Sequence, residues 1–116
     1  MGKAAEPATS AQERARAVRI PRARQTAIFK ALADPHRLDL LRRIARARCP
    51  LACADARAAL AISAATLSHH VKELESAGLV DVRREGKFAY LTLRTGALAG
   101  IAEVLAGLET DACDRS

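Results

Sequence analysis

The sequence predicts a mainly α-helical fold closed by one β-hairpin, and three observations carry that prediction. Apolar residues recur at three- and four-residue steps in several separate stretches, a capping residue or a breaker bounds these stretches, and two runs rich in Val, Leu and Tyr flank Glu85-Gly86-Lys87. The 116 residues suit one compact unit; 50% of them are apolar but only 3% aromatic, so the core is expected to consist of Leu, Ile, Val and Ala. Such a core is thin. A chain of this length buries only about two-thirds of its unfolded surface, which makes apolar burial between two copies a natural supplement.

Residues 1–21 mix Ala, Pro, Ser, Thr, Glu and Arg and are expected to be a flexible basic arm. Its Arg14, Arg16 and Arg19, with Arg22 just beyond, either stay solvated or touch an anionic partner. The compact domain is expected over residues 22–110 and a short tail over 111–116. From Gln25, Ile28, Phe29 and Leu32 recur at helical spacing up to Ala33, where Asp34-Pro35 breaks the pattern. Asp34 can cap a new helix with its carboxylate, and Pro35 suits the first helical position, where its missing N–H costs nothing. That helix is expected to bury Leu38, Leu41, Ile44 and Ala45 and to turn Arg37, Arg42, Arg43 and Arg46 to solvent. Cys49-Pro50 ends it, and a short helix follows from about Cys53 to Leu60. Ser63 then caps a longer helix whose Leu67, Val71 and Leu74 repeat on one face, and Gly78 stands where a left-handed C-terminal cap is wanted. Leu79–Arg84 and Phe88–Leu93 read as the two strands of a hairpin with a basic tip. After Gly96, Leu98, Ile101, Leu105 and Leu108 mark a narrow apolar seam on a last helix, the kind of stripe that pairs with a second copy.

Two helices, a short turn, a helix and a basic hairpin follow one another as in a winged helix-turn-helix, whose second motif helix lies in the major groove of double-stranded DNA. The helix opened by Ser63 suits that role. Opposite its apolar face lie Ala65, His69 and Lys72, flanked by Thr66 and Ser68. Short side chains let the backbone enter a groove about 12 Å wide, and hydroxyl, imidazole and ammonium groups can meet base edges and phosphates. A merely solvated helix would more often carry Glu and Lys at ion-pair spacing. Arg83, Arg84 and Lys87 at the hairpin tip fit backbone phosphates. The net charge of +6, from 19 Lys and Arg against 13 Asp and Glu, points the same way. Codon usage alone can produce that charge, so it is position that decides. A Gly-rich phosphate loop, a nucleophile elbow and a Cys-His pair with an orienting carboxylate are all missing, which excludes the familiar enzyme classes. The remaining alternative is a winged module that binds protein, and the basic tip favours DNA over it. Three cysteines without an amino-terminal apolar run predict a cytoplasmic protein with reduced thiols and no membrane span.

Ala33-Asp34-Pro35-His36-Arg37-Leu38, the run from Ile62 through Ser63 and His69-His70 to Leu74, then Ala77-Gly78-Leu79-Val80 and the Arg83–Tyr90 hairpin closely resemble the ArsR/SmtB family of bacterial repressors. The resemblance covers residues 25 to about 108. It implies a homodimer paired through the first and last helices, which adds Ile28 and Leu32 to the seam, and an inverted-repeat operator that is left when an inducer, often a metal ion or arsenite, binds. No cofactor is needed for DNA binding itself.

The family's known metal sites are not met. At the start of the short helix, Leu51-Ala52-Cys53-Ala54-Asp55 has Ala at both positions where the family's thiolate site has Cys, and residues 97–110 contain no His for the site on the last helix. His69 and His70 are adjacent and diverge by about 100° on a helix, so the two cannot readily grip one ion, and His70 reads as a packed histidine bonded to a neighbouring helix. Cys49, Cys53 and Cys113 remain. If one helix ran through Cys49 and Cys53, they could share As(III) or another soft ion, with Cys113 of either subunit as third thiolate. A thiol redox or persulfide switch is the alternative; the plainer readings are Cys53 as a small buried apolar residue with Cys113 as an idle tail thiol, or sensing of another small molecule.

Overall fold

The computed structural model describes residues 16–47 and 49–113, with side chains as far as Asp111. Within them lie α1 (Arg22–Leu32), α2 (Pro35–Arg46), β1 (Leu51–Ala52), α3 (Cys53–Leu60), α4 (Ala64–Ser76), β2 (Val80–Glu85), β3 (Phe88–Leu93) and α5 (Ala97–Cys113). The chain divides into two compact units, Arg22–Arg94 and a second formed by residues before and after that segment.

In the first unit each boundary has a local cause. Asp34 stands in extended backbone, and its Oδ1 accepts the amides of His36 at 2.8 Å and Arg37 at 3.1 Å, with Pro35 next in the first turn. Ser63 does the same for α4, its Oγ accepting the Thr66 amide at 3.1 Å. The turn between α3 and α4 passes through Ala61 at φ +56°, a left-handed residue without glycine's freedom. Gly78 leaves α4 at φ +80°, and Gly86 starts the two-residue hairpin turn at φ +62°.

The sheet has the order β1-β3-β2, all antiparallel, with Val82 opposite Leu91 and Leu51 opposite Leu91 from the other side. The two-residue β1 is not expected from sequence, because it is too short to show a period. It matters: Leu91, central in the sheet, is completely buried, together with Leu40, Leu74, Leu79 and Val80. The stripe that α2 turns inward is Arg37, Leu40, Leu41 and Ile44, at steps of three and four. Leu38 and Ala45, expected inside, therefore sit about 100° off it and are exposed, Leu38 at 36%.

In the second unit residues 16–20, expected in the arm, run against the start of α5. Val18 donates its amide to the Gly96 carbonyl at 3.0 Å, and a Cβ on Gly100 would strike the Val18 carbonyl oxygen. Residues 1–15 of the expected arm lie outside the described residues. The last helix runs on to Cys113, past the boundary expected at 110, and residues 114–116 of the expected tail are likewise outside the described residues.

Gly78→Ala tests the cap. A side chain there would meet the Arg24 guanidinium, which itself donates to the Ala77 carbonyl at 3.2 Å, and would sit in the left-handed region. Guanidine unfolding is expected to show a loss of about 1–2 kcal/mol.

Candidate nucleic-acid interface

Ser63, Ala65, Thr66, Ser68, His69 and Lys72 are all exposed, and Leu67, His70, Val71 and Leu74 are buried on the opposite side of α4. The small polar face is thus open to a partner along its length. Two of its hydroxyls are already engaged: Ser63 donates to the Thr66 hydroxyl at 2.9 Å while capping the Thr66 amide. Both therefore help to fix the start of the helix, and Thr66 keeps its own O–H free to donate.

The wing presents Arg83, Arg84 and Lys87, all exposed. Arg83 is partly tied down. It pairs with Glu85 at 3.0 Å and its guanidinium lies 5.3 Å from the centre of the Tyr90 ring, on the partner strand. Sequence reasoning named the three cations but passed over Glu85, which lowers the positive charge of the tip, and Phe88, which is 61% exposed beside Lys87.

His70 occupies the inner side of α4 and is 6% exposed. Its Nδ1 lies 3.5 Å from an Arg37 nitrogen, so it does meet the neighbouring helix as the sequence implies. Arg37, expected in solvent, is the missed residue. Its Nε donates to the Ala31 carbonyl at 2.7 Å and its NH2 to that of Lys30 at 3.3 Å, which also accepts the Ala33 amide at 3.2 Å, so the last carbonyls of α1 are joined to α2 and α4. A signal for it exists in the sequence: three residues after an N-cap, an arginine lies over the end of the preceding helix. Burial pushes the His70 imidazole below its ordinary pKa, the charges of Arg37, His36 and His69 add to that, and Asp34 opposes it.

A groove of about 490 Å³ lies between α3, α4 and the hairpin. Cys53 and Arg57 line it from α3, Ser68, Lys72 and Glu75 from α4, and Arg84 from β2, with Leu67, Val71 and Val82 supplying apolar surface. Cys49 lies elsewhere, exposed on a recess of about 270 Å³ beside Pro50 and Leu91. No helix passes through both thiols. α2 ends at Arg46, β1 intervenes, and α3 begins only at Cys53, so the one-turn spacing that would let Cys49 and Cys53 share an ion is not formed. Partial burial raises the Cys53 thiol above its ordinary pKa, only partly offset by Arg84, which leaves little reactive thiolate near neutrality. The side chain of Cys113 lies outside the described residues.

The dimer candidates divide as well. Ile28 is 1% exposed and Ile101 4%, so both are already covered within the chain; Leu32 and Leu98 are half-buried, and Leu105 and Leu108 are exposed at 50% and 63%. Among the described residues no helix is long and apolar enough to cross a membrane.

A helix-turn-helix domain model matches residues 32–83. Over 67 residues the chain is 36% identical to the HTH-type transcriptional regulator YceK of Bacillus subtilis, a match that covers 58% of this chain and 67% of that protein. Over 65 residues it is 42% identical to a transcriptional repressor SmtB homolog of Synechocystis, covering 56% of this chain and 48% of the relative, so the chain spans about half the length of that protein. The homodimeric winged helix-turn-helix DNA-binding domain of Mb0332 from Mycobacterium bovis, a possible ArsR-family regulator, superposes with a TM-score of 0.58 at 26% identity over 80% of this chain and 82% of its own. The chain belongs to the ArsR/SmtB family of winged helix-turn-helix transcriptional regulators. The resemblance read from the Asp34-Pro35 and Ser63–Leu74 segments is thereby confirmed, and the winged fold of this ArsR/SmtB chain with it.

The buried His70 sets a pH dependence for this ArsR/SmtB regulator. Its folded pKa lies below the unfolded value of 6.5, so its contribution to stability is complete above that value and is lost as pH falls below it. Asp34, held low by the capping amides of Arg37 and His36, acts only below 3.8 and does not overlap. Melting temperature is expected to fall between about pH 7.5 and pH 5, and His70→Gln is expected to flatten that slope. An equal slope in both proteins would remove His70 as its source.

Proposed function

We propose that this chain is a DNA-binding transcriptional repressor that sits as a homodimer on an inverted-repeat operator and leaves it when an inducer binds. The observation that carries the proposal is the uninterrupted exposed face of α4, Ser63 to Lys72, in the same unit as a wing bearing Arg83, Arg84 and Lys87. Ala65, Ser68, His69 and Lys72 read the major groove, while Ser63 and Thr66 set the entry of the helix and the wing cations hold phosphate. The setting is the cytoplasm, where the DNA is.

Leu105 and Leu108 supply the seam. Exposed leucines on one helix at a three-residue step favour pairing, and the homodimeric state of the Mycobacterium bovis domain supports it. The inducer reading narrows to single thiols. Cys53 shares its groove with Ser68 and Lys72, so arsenite, another soft ion or a thiol-modifying signal attached there would crowd the reading face. A differential DNA affinity of about 1–3 kcal/mol is enough for release. If release by arsenite or persulfide is unchanged in Cys49→Ser, Cys53→Ser and Cys113→Ser, thiol induction is wrong.

Operator binding tests the assignment of the two surfaces. Lys87→Ala is expected to weaken all DNA about equally and to lower the salt slope by about 1. His69→Ala is expected to cost about 1–3 kcal/mol at the operator and little on random DNA. Intact discrimination in His69→Ala would move the reading face elsewhere.

The seam has its own test. Leu105→Glu combined with Leu108→Glu is expected to give monomers by analytical ultracentrifugation and to lose operator affinity, since a dimer places its two reading helices about 34 Å apart on one face of the duplex.

A further inference from the structure

We propose that Asp34, His36 and His70 form a binding site for one divalent transition-metal ion of the Zn(II) class, placed between the first turn of α2 and the inner side of α4. Each of the three offers one ligand atom, and these atoms all lie within 4.8 Å of one another. Among the described residues this is the cluster of His, Cys, Asp and Glu that meets that spacing. It shares no residue with the thiols or with α5, and it does not depend on the DNA-binding role.

The local geometry leaves the donors available. Both capping bonds of Asp34 fall on Oδ1, from His36 and Arg37, so Oδ2 remains for an ion while the cap stays intact. The rings of His36 and His70 meet edge to face with centroids 5.6 Å apart, which holds the two imidazoles side by side although they come from different helices. On α4 itself the carboxylate at helical spacing from His70 is Glu73, which is exposed while His70 is buried. The partner it needs arrives from α2, thirty-four positions back in the chain.

The donor set selects the ion. Two imidazoles and one carboxylate suit zinc, cobalt or nickel better than magnesium or calcium, which favour all-oxygen shells. Tetrahedral ligands of zinc stand about 3.3 Å apart, so atoms within 4.8 Å of one another must close by up to about 1.5 Å, which a turn of the exposed His36 side chain can supply. Burial favours the neutral form of His70, which is the form that ligates.

One group opposes the ion, the Arg37 guanidinium. Two of its nitrogens are held by the carbonyls of Ala31 and Lys30, and only the third approaches His70, at 3.5 Å, the outer limit of a hydrogen bond. The imidazole lone pair is therefore weakly engaged. A bound ion would take it, and the Asp34 carboxylate would offset the neighbouring positive charge.

The test uses the full, untagged chain, stripped with a chelator and titrated first with Co(II) and then with Zn(II), without DNA. Uptake of one ion per chain is expected, with the visible bands of nitrogen- and oxygen-ligated cobalt, no intense thiolate charge-transfer band, and a rise in melting temperature on adding zinc. His36→Ala, at an exposed position, and Asp34→Asn, which keeps a capping oxygen, should each weaken binding by about tenfold or more while the metal-free protein melts nearly as the parent does. The variant with Cys49, Cys53 and Cys113 all changed to Ser should bind as the parent does. No uptake of either ion, unchanged affinity in both ligand variants, or loss of binding in the serine variant would each overturn the proposal.

Discussion

The break at Asp34-Pro35 is the constraint on which the unit Arg22–Arg94 depends. Proline cannot continue α1, and the Asp34 carboxylate accepts the amides of His36 and Arg37 to restart the chain as α2. The new helix axis carries Arg37 back over the last carbonyls of α1 and brings it to His70 on α4. Four carbonyls at the end of a helix have no partner within it, and a guanidinium with its fixed fork of donors satisfies two of them at once. The same two-residue break therefore orders α1, α2 and the inner face of α4, and so sets which way the outer face of α4 points.

Charge placement on the surface follows a different logic. Arg94 binds Asp81 with two nitrogens, at 2.7 and 3.1 Å, and Arg43 pairs with Asp39 one turn away. Pairs this exposed contribute about 0–1 kcal/mol each, so their interest lies in which cations they withdraw from other partners. Arg94, Arg43 and Arg83 are engaged within the chain, and Lys72 lies on the open face of α4 near Glu75. The +6 of the whole chain is a poor guide to any one surface for this reason.

The groove between α3, α4 and the hairpin joins the two kinds of surface. It is apolar where Leu67, Val71 and Val82 meet and charged at its edge, where Arg57, Lys72 and Arg84 stand. Anything bound there touches Ser68 and Lys72, which belong to the exposed face of α4, and also Cys53 at the start of α3. The high thiol pKa makes Cys53 a slow nucleophile, so its position in the groove carries more weight than its reactivity.

Much of this was legible in the sequence, because it is local. The Asp34 cap, the Ser63 cap, the left-handed Gly78 and the hairpin turn at Gly86 are each decided by a few neighbouring residues, and the element order with the exposed face of α4 follows from them. What failed was whatever depends on distant partners. The inward stripe of α2 is Arg37-Leu40-Leu41-Ile44 because α1 offers its last carbonyls to Arg37 and β3 offers Leu91, neither of which a periodicity count on α2 can see. Strand β1 exists only because β3 is there to pair with it, and it is β1 that separates Cys49 from Cys53. The meeting of His36 with His70 is of the same kind: sequence spacing determines which face of its own helix a residue occupies, while the crossing of two helices, fixed by the buried contacts between them, decides what that face meets.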